Sequence, residues 1–146
     1  MRLPALPTHE DLPFEPGDFV PDALDAEAAR QAAIGLGVFS LALGALELAA
    51  PRLLTRWLGL PGRTRLFRFH GLREVAVGVG LLTQKRKAPW LWARVLGDAV
   101  DLATLAMARP YDRKEAAGLA AGVTSVLAVA ALDVLCAIRL GEAEDD

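Results

Sequence analysis

The chain has 146 residues, which suits one domain, and 53% of them are apolar although 23% are charged. The mean hydropathy of +0.32 is high for a soluble protein, and the single cysteine, Cys136, excludes an intramolecular disulfide. The net charge of −2 hides two acidic ends, 1–28 and 140–146, around a basic body, 29–139. The basic residues flank or interrupt apolar runs, so we expect contact with a lipid bilayer and no nucleic-acid binding.

The first 28 residues are acidic and contain five of the nine prolines, which predicts a disordered or extended tail. No basic segment precedes an apolar one here, so a cleavable signal peptide is not expected. The remaining prolines stand at the edges of apolar runs, where proline begins or ends a helix. They are Pro51, Pro61, Pro89 and Pro110. Residues 140–146 are predicted to form a second acidic tail.

These boundaries predict an all-α membrane domain, 29–139, with four transmembrane helices. Helix one begins near Asp22 and has its apolar part at Ala32–Ala50; the next three are Arg63–Gln84, Pro89–Ala108 and about Ala116–Ile138. About 20 apolar residues cross the hydrocarbon core of a bilayer, so the first and last helices pass easily. The middle two carry charges that each cost roughly 2.5–3.5 kcal/mol at the bilayer centre, so we expect them to pair their charges inside a bundle.

A short amphipathic helix is predicted between helices one and two, at Pro51–Leu60. Arg52 and Arg56 share one of its faces, whereas Leu54 and Trp57 lie on the other, as in a helix that rests in a membrane interface. The alternative is a short helix packed in a loop of a soluble protein.

Helix three is the most informative segment, because Arg94, Asp98 and Asp101 fall on one helical face of an apolar stretch. We expect its partners on helix two. The resulting candidate site comprises the acids Glu47, Glu74, Asp98, Asp101 and Asp133, the bases Arg73 and Arg94, and His70. Arginine can bridge two carboxylates, but the acids outnumber the arginines. Some carboxyl groups are therefore protonated, or further basic groups join, or a cation binds.

Three functions remain open. In the first, the network only holds the helices in register, and the protein has a structural or accessory role. In the second, the network lines a cavity of a small-ligand or proton-coupled membrane carrier. In the third, the chain is a soluble helical bundle that binds a partner. No nucleophile motif, phosphate loop, dinucleotide fingerprint or metal-ligand spacing is present, so we predict no catalytic residue, no metal, no cofactor and no enzymatic activity.

Small residues follow one face of helices one and four, including the Gly118-x-x-x-Gly122 motif. Such faces let helices approach closely and are interpreted as packing surfaces, which could also support a homo-oligomer.

Two segments carry a resemblance to a known group of proteins. Gly71-Leu72-Arg73-Glu74, followed by Gly78, and the stretch WARVLGDAVDL at 92–102 resemble small bacterial four-helix membrane proteins of unknown function. Similar segments occur in membrane regions attached to polyketide-cyclase/dehydrase-like domains, and a looser similarity exists to DoxX-like proteins. This resemblance implies a multi-pass protein of the bacterial inner membrane. It supplies no catalytic residues, and no cyclase activity transfers, because the chain lacks the attached soluble domain.

Overall fold

The computed structural model describes residues 25–145, and over this range the chain forms five α-helices and no strand. They are α1 Ala26–Ala49, α2 Pro51–Trp57, α3 Thr64–Thr83, α4 Ala88–Leu105 and α5 Arg113–Asp145. The all-α class predicted from the sequence is confirmed, and α2 takes the position of the predicted short helix.

The helix ends differ from the predicted ones where capping groups decide them. The carboxylate of Asp25 accepts the N–H of Ala28 at 2.7 Å, so α1 begins inside the segment predicted to be a tail. The predicted start, Asp22, lies in segment 1–24, outside the described residues. Asp112 accepts the N–H of Glu115 at 2.8 Å, which starts α5 earlier than predicted.

The far ends of α4 and α5 also differ from the predictions. Helix α4 ends at Leu105, before the predicted Ala108. Helix α5 runs through the acidic segment as far as Asp145, because alanine and glutamate favour helix and no proline interrupts it. Residues 140–145 therefore extend a helix, and only Asp146 of the predicted tail lies outside the described range.

The connections after α2 and after α4 meet at the same end of the molecule. Gly59 adopts a φ of +67°, which glycine tolerates without strain, and its carbonyl accepts the N–H of Arg109 at 3.1 Å. A Cβ atom at position 59 would stand 3.0 Å from the Cα of Pro110. This backbone hydrogen bond joins the α2–α3 connection to the α4–α5 connection.

Helix α1 packs mainly on α3, and α4 mainly on α5. Two pairs of glycines bring α1 and α3 together: a Cβ at Gly44 would stand 2.7 Å from the carbonyl oxygen of Gly71, and one at Gly78 would stand 2.9 Å from that of Gly37. The two glycines of each helix are seven residues apart, which is about two turns, so the two contacts lie on one face of each helix. The backbones of α1 and α3 therefore touch at two levels.

Apolar cores fill the two ends of the helix assembly. One joins the first turns of α1 to the last turns of α5 and contains, among others, Ala29, Ala33, Leu36, Cys136, Ala137 and Leu140. The other contains Leu58, Leu60, Phe67 and Leu105. The buried charged side chains lie between these two cores.

Two of the described helices, α1 and α5, are long and apolar enough to cross a membrane. The sequence prediction included α3 and α4 as further spans. Those two helices carry six of the eight residues of the candidate site, whereas α1 and α5 carry one each, Glu47 and Asp133.

Candidate functional site

Arg94 of α4 joins three other helices. Its Nε lies 3.0 Å from both carboxylate oxygens of Asp133 on α5, and its Nη1 donates to Oε2 of Glu74 on α3 at 2.9 Å. Nη1 also donates to the hydroxyl of Ser40 on α1. Arg94 is 2% exposed and Asp133 is fully buried, so this arginine is paired on several sides inside the protein. Charge-assisted hydrogen bonds of this kind are about twice as strong as neutral ones.

Ser40 and Glu74 meet midway between the two glycine contacts of α1 and α3. The Ser40 hydroxyl donates to Oε2 of Glu74 at 2.7 Å, and both side chains are buried. Residues 37, 40 and 44 of α1 match 78, 74 and 71 of α3 in antiparallel order. The close approach of the helix backbones therefore sets the short serine–glutamate contact.

Arg73 forms a second, more accessible centre between α3 and α4. Its Nη2 donates to Oδ2 of Asp101 at 2.8 Å and to Oε1 of Glu74 at 2.7 Å, while Nη1 donates to the carbonyl of Gly97 at 3.0 Å. A Cβ at position 97 would stand 2.7 Å from Cζ of Arg73, so glycine is needed for the guanidinium to lie against the backbone. Glu74 thus accepts from both arginines and links the two centres.

His70 extends this second centre toward the end of α4. Its Nδ1 lies 2.6 Å from Oδ1 of Asp101, and its Nε2 lies 3.2 Å from Oγ1 of Thr104. The Thr104 hydroxyl also donates to the carbonyl of Val100 at 2.9 Å. Both ring nitrogens therefore have partners, and the imidazole is held in one orientation.

Two acids of the predicted site are left incompletely paired. Oε2 of Glu47 and Oδ2 of Asp98 are buried and have no hydrogen-bond partner, although these side chains are only 7% and 6% exposed. Asp98 also lies beside the carboxyl group of Asp133 on α5, so two acids are close together in this part of the network. A buried carboxylate without a partner is costly, so each of these oxygens calls for a compensating proton or cation.

The unpaired acids face a cavity of about 330 Å³ that lies between the helices. Its polar end is formed by Glu47, His70, Glu74, Arg94, Asp98 and Asp101. Its walls are apolar and include Leu43, Leu54, Leu58, Phe67 and Val126. This volume and this combination of apolar walls with a few convergent polar groups are typical of small-molecule sites.

All eight residues of the predicted site line this cavity or belong to the network beside it. Arg73 and Asp133 are absent from the described lining and act through Glu74, Asp101 and Arg94. The predicted pairing of α3 with α4 is present in the Arg73–Asp101 and Glu74–Arg94 contacts.

Sequence reasoning missed the polar residues that are not charged. Ser40 lies on the small-residue face of α1, whose pattern indicates helix packing or a homo-oligomer and no polar site. Thr104 has a hydroxyl in an otherwise apolar stretch. The signal for Ser40 was its place three residues after Gly37 and four before Gly44. Trp57, on the predicted apolar face of the short helix, also lines the cavity.

The Gly118–Gly122 motif contacts α2 of the same chain. A Cβ at Gly118 would overlap the carbonyl of Trp57, and one at Gly122 would stand 2.9 Å from Cδ2 of Leu58. The motif thus serves packing within the chain, while the homo-oligomer stays a prediction.

Within residues 25–145, no group of three or more His, Cys, Asp or Glu side chains is arranged to hold a metal ion. The lining of the cavity combines charged and hydrogen-bonding groups with apolar walls. Comparison of the chain with protein-family models, curated proteins and solved structures finds no match, so the resemblance drawn from α3 and α4 stays a prediction.

Proposed function

We propose that the protein is a multi-pass membrane protein that binds a small, mostly apolar molecule in the cavity between its helices. The observation that carries the proposal is the cavity itself, which joins apolar walls to an end where two buried carboxylate oxygens lack partners. A network serving only to hold helices together would be expected to satisfy its own members.

The distribution of exposed side chains supports a bundle of four spans, α1, α3, α4 and α5. Over residues 31–49, 69–83, 88–105 and 116–138, no charged side chain is exposed. Large apolar side chains are exposed instead, such as Phe69 (62%) and Leu72 (63%) of α3 and Leu96 (69%) of α4. Charges that face inward and apolar groups that face outward are the arrangement expected in a bilayer. The proposed location in a bacterial inner membrane rests on the resemblance of the α3 and α4 segments alone.

The structural or accessory role is the competing proposal, and a specific observation favours it. Arg94, Ser40, Glu74 and Asp133 satisfy one another and tie four helices together. This part of the network accounts for the register of the helices without any ligand. It leaves the cavity and the free oxygens of Glu47 and Asp98 unexplained.

Cysteine labelling tests whether α4 lies in a membrane. In a Cys136→Ala background, Leu96→Cys and Tyr111→Cys each present one thiol, and both original side chains are highly exposed, at 69% and 96%. With membranes or nanodiscs, a membrane-impermeant maleimide should label residue 111 and spare residue 96, because only the lipid shields the latter. Equal labelling of both would favour the soluble bundle and contradict the membrane assignment.

Blocking the cavity on its α5 side tests ligand binding. Ser125 and Ala128 are both exposed on α5, but only Ser125 lines the cavity. The Ser125→Trp variant should lose binding of 1-octanol, a neutral apolar probe, in calorimetric titrations of the protein in nanodiscs corrected for empty nanodiscs. The Ala128→Trp variant is the matched control and should bind as the original chain does. If the original chain binds no octanol, or if both variants bind it equally, the structural role is favoured.

A further inference from the structure

The two carboxylate oxygens without partners define what kind of ligand group would complete the site. Among the five acids of the network, Glu74, Asp101 and Asp133 each accept from an arginine. Glu47 and Asp98 line the polar end of the cavity, and each keeps one enclosed oxygen, Oε2 and Oδ2 respectively, that accepts from no described group. An oxygen with a negative charge and no donor is satisfied by a group that brings both N–H donors and positive charge.

The electrostatic surroundings of Glu47 point the same way. The carboxylates of Asp101 and Glu74 lie near enough to repel it, and Arg73, the nearby cation, is already shared between those same two acids. In the whole network, five acids face two arginines and one histidine. The polar end of the cavity therefore has an excess of acceptors and of negative charge.

The residues that line the cavity favour an organic cation over a metal ion. No group of described side chains has the ligands for a metal, and most of the lining is apolar. The aromatic rings of Phe39, Trp57 and Phe67 line the walls, where they can contact an apolar chain or the face of a cation. A ligand with one charged end and one apolar end matches this division.

The mouth of the cavity lies between α1 and α5. These helices touch where Ala33 and Leu36 approach Cys136 and Ala137, but the cavity separates residues 39–47 from residues 121–129. The exposed lining residues at this gap are Phe39, Leu46, Trp57, Ala121 and Ser125, and none of them is charged. In the proposed membrane arrangement, this gap faces the lipid chains.

We propose that the cavity binds a lipophilic primary amine in its ammonium form, which enters from the bilayer between α1 and α5. The ammonium group, with three donors, binds the carboxyl groups of Glu47 and Asp98 that line the polar end, and the alkyl chain lies along the apolar walls. This inference rests on the proposed function and adds the charge, the recognising residues and the route of entry.

Three probes with the same chain length test the charge: octylammonium, 1-octanol and octanoate. Titrations use the full chain in nanodiscs of phosphatidylcholine, which has no net charge, with empty nanodiscs subtracted. With affinities expressed as mole fractions of probe in the nanodisc lipid, octylammonium should bind about tenfold or more tightly than octanol, and octanoate most weakly, because the ammonium group donates charged hydrogen bonds to the carboxylates.

Two variants test the recognising residues, and a third is their control. Glu47→Gln and Asp98→Asn should bring octylammonium to the affinity of octanol without weakening octanol. The exposed Glu27→Gln variant should keep the preference for octylammonium. If one of the two buried variants fails to fold, the other still tests the recognising residues. The comparison of the three probes on the original chain needs no variant.

The outcomes separate this inference from the function on which it rests. If octanol binds as tightly as octylammonium, or if the Glu27→Gln variant loses the preference as fully as the buried variants do, the ammonium assignment is wrong and cavity binding stands. If no probe binds, or if Ser125→Trp changes the binding of none, the proposed function fails and the inference fails with it.

Discussion

Gly44 and Gly71 approach so closely that a Cβ atom at position 44 would stand 2.7 Å from the carbonyl oxygen of Gly71. The obstacle is backbone, which cannot rotate away as a side chain can. The pairing of α1 with α3, and with it the contact between Ser40 and Glu74, therefore depends on the absence of a side chain at this point.

The first prediction concerns this contact. Gly44→Ala should push α1 away from α3 and lower the free energy of unfolding by about 1–3 kcal/mol, the usual cost of overpacking. Gly35→Ala in the same helix is the matched control, because a Cβ there meets nothing within 4 Å. That variant should be neutral or more stable by up to about 1 kcal/mol, since alanine favours helix. Thermal unfolding of both in one detergent compares them, and equal melting temperatures would contradict the close contact.

The second prediction concerns the buried arginine. Arg94→Ala leaves the buried carboxylate of Asp133 without its cation, removes one of the two cations of Glu74, and should cost about 3–5 kcal/mol, as the loss of one partner of a buried ion pair does. The exposed Arg68→Ala in α3 is the control and should stay near the original stability. The yield of monodisperse protein and the melting temperature measure the difference. Arg94 would have no such role if the two variants behaved alike.

The third prediction separates charge from geometry at Arg73. Lysine keeps the charge but cannot hold Asp101 and Glu74 with one planar fork, so Arg73→Lys should cost about 1.5–3 kcal/mol, as lost hydrogen bonds to charged groups do. Arg65→Lys, at an exposed position of α3, makes the same chemical change without these contacts. A melting temperature for Arg73→Lys equal to that of Arg65→Lys would show that charge alone suffices.

The fourth prediction uses two glycines with positive φ in one turn. Alanine at either Gly59 (φ +67°) or Gly62 (φ +82°) is strained by about 1–2 kcal/mol, but only at position 59 would its Cβ press on Pro110, at 3.0 Å. Gly59→Ala should therefore melt at a lower temperature than Gly62→Ala. The reverse order would argue against the close approach of the two connections at this end.

Local rules predicted most of the helices because prolines and apolar runs mark them in the sequence. The face shared by Arg94, Asp98 and Asp101 follows from helical spacing, and so does the expectation of partners on α3. Helical spacing did not predict which acid pairs with which arginine. That Arg94 binds Asp133 of α5 while Arg73 takes Asp101 depends on how the helices are rotated against one another.

The cavity could not be predicted for the same reason. It arises where α1 and α5 separate after touching at Ala33 and Cys136, and no local pattern records the distance between two helices far apart in the chain. The sequence shows only that acids outnumber arginines in the predicted spans, which indicates that some acid, such as Glu47, lacks a partner. Which acid stays unpaired is decided by tertiary packing.

The uncharged mouth between α1 and α5 has a consequence for any measurement of affinity. A ligand that arrives through lipid meets the site at its concentration in the bilayer, which its partition coefficient sets. Two ligands that fit equally well would then show different apparent dissociation constants in water, and adding lipid at constant protein would weaken the apparent binding of the more lipophilic one. Affinities for such a site have meaning only as mole fractions of the membrane.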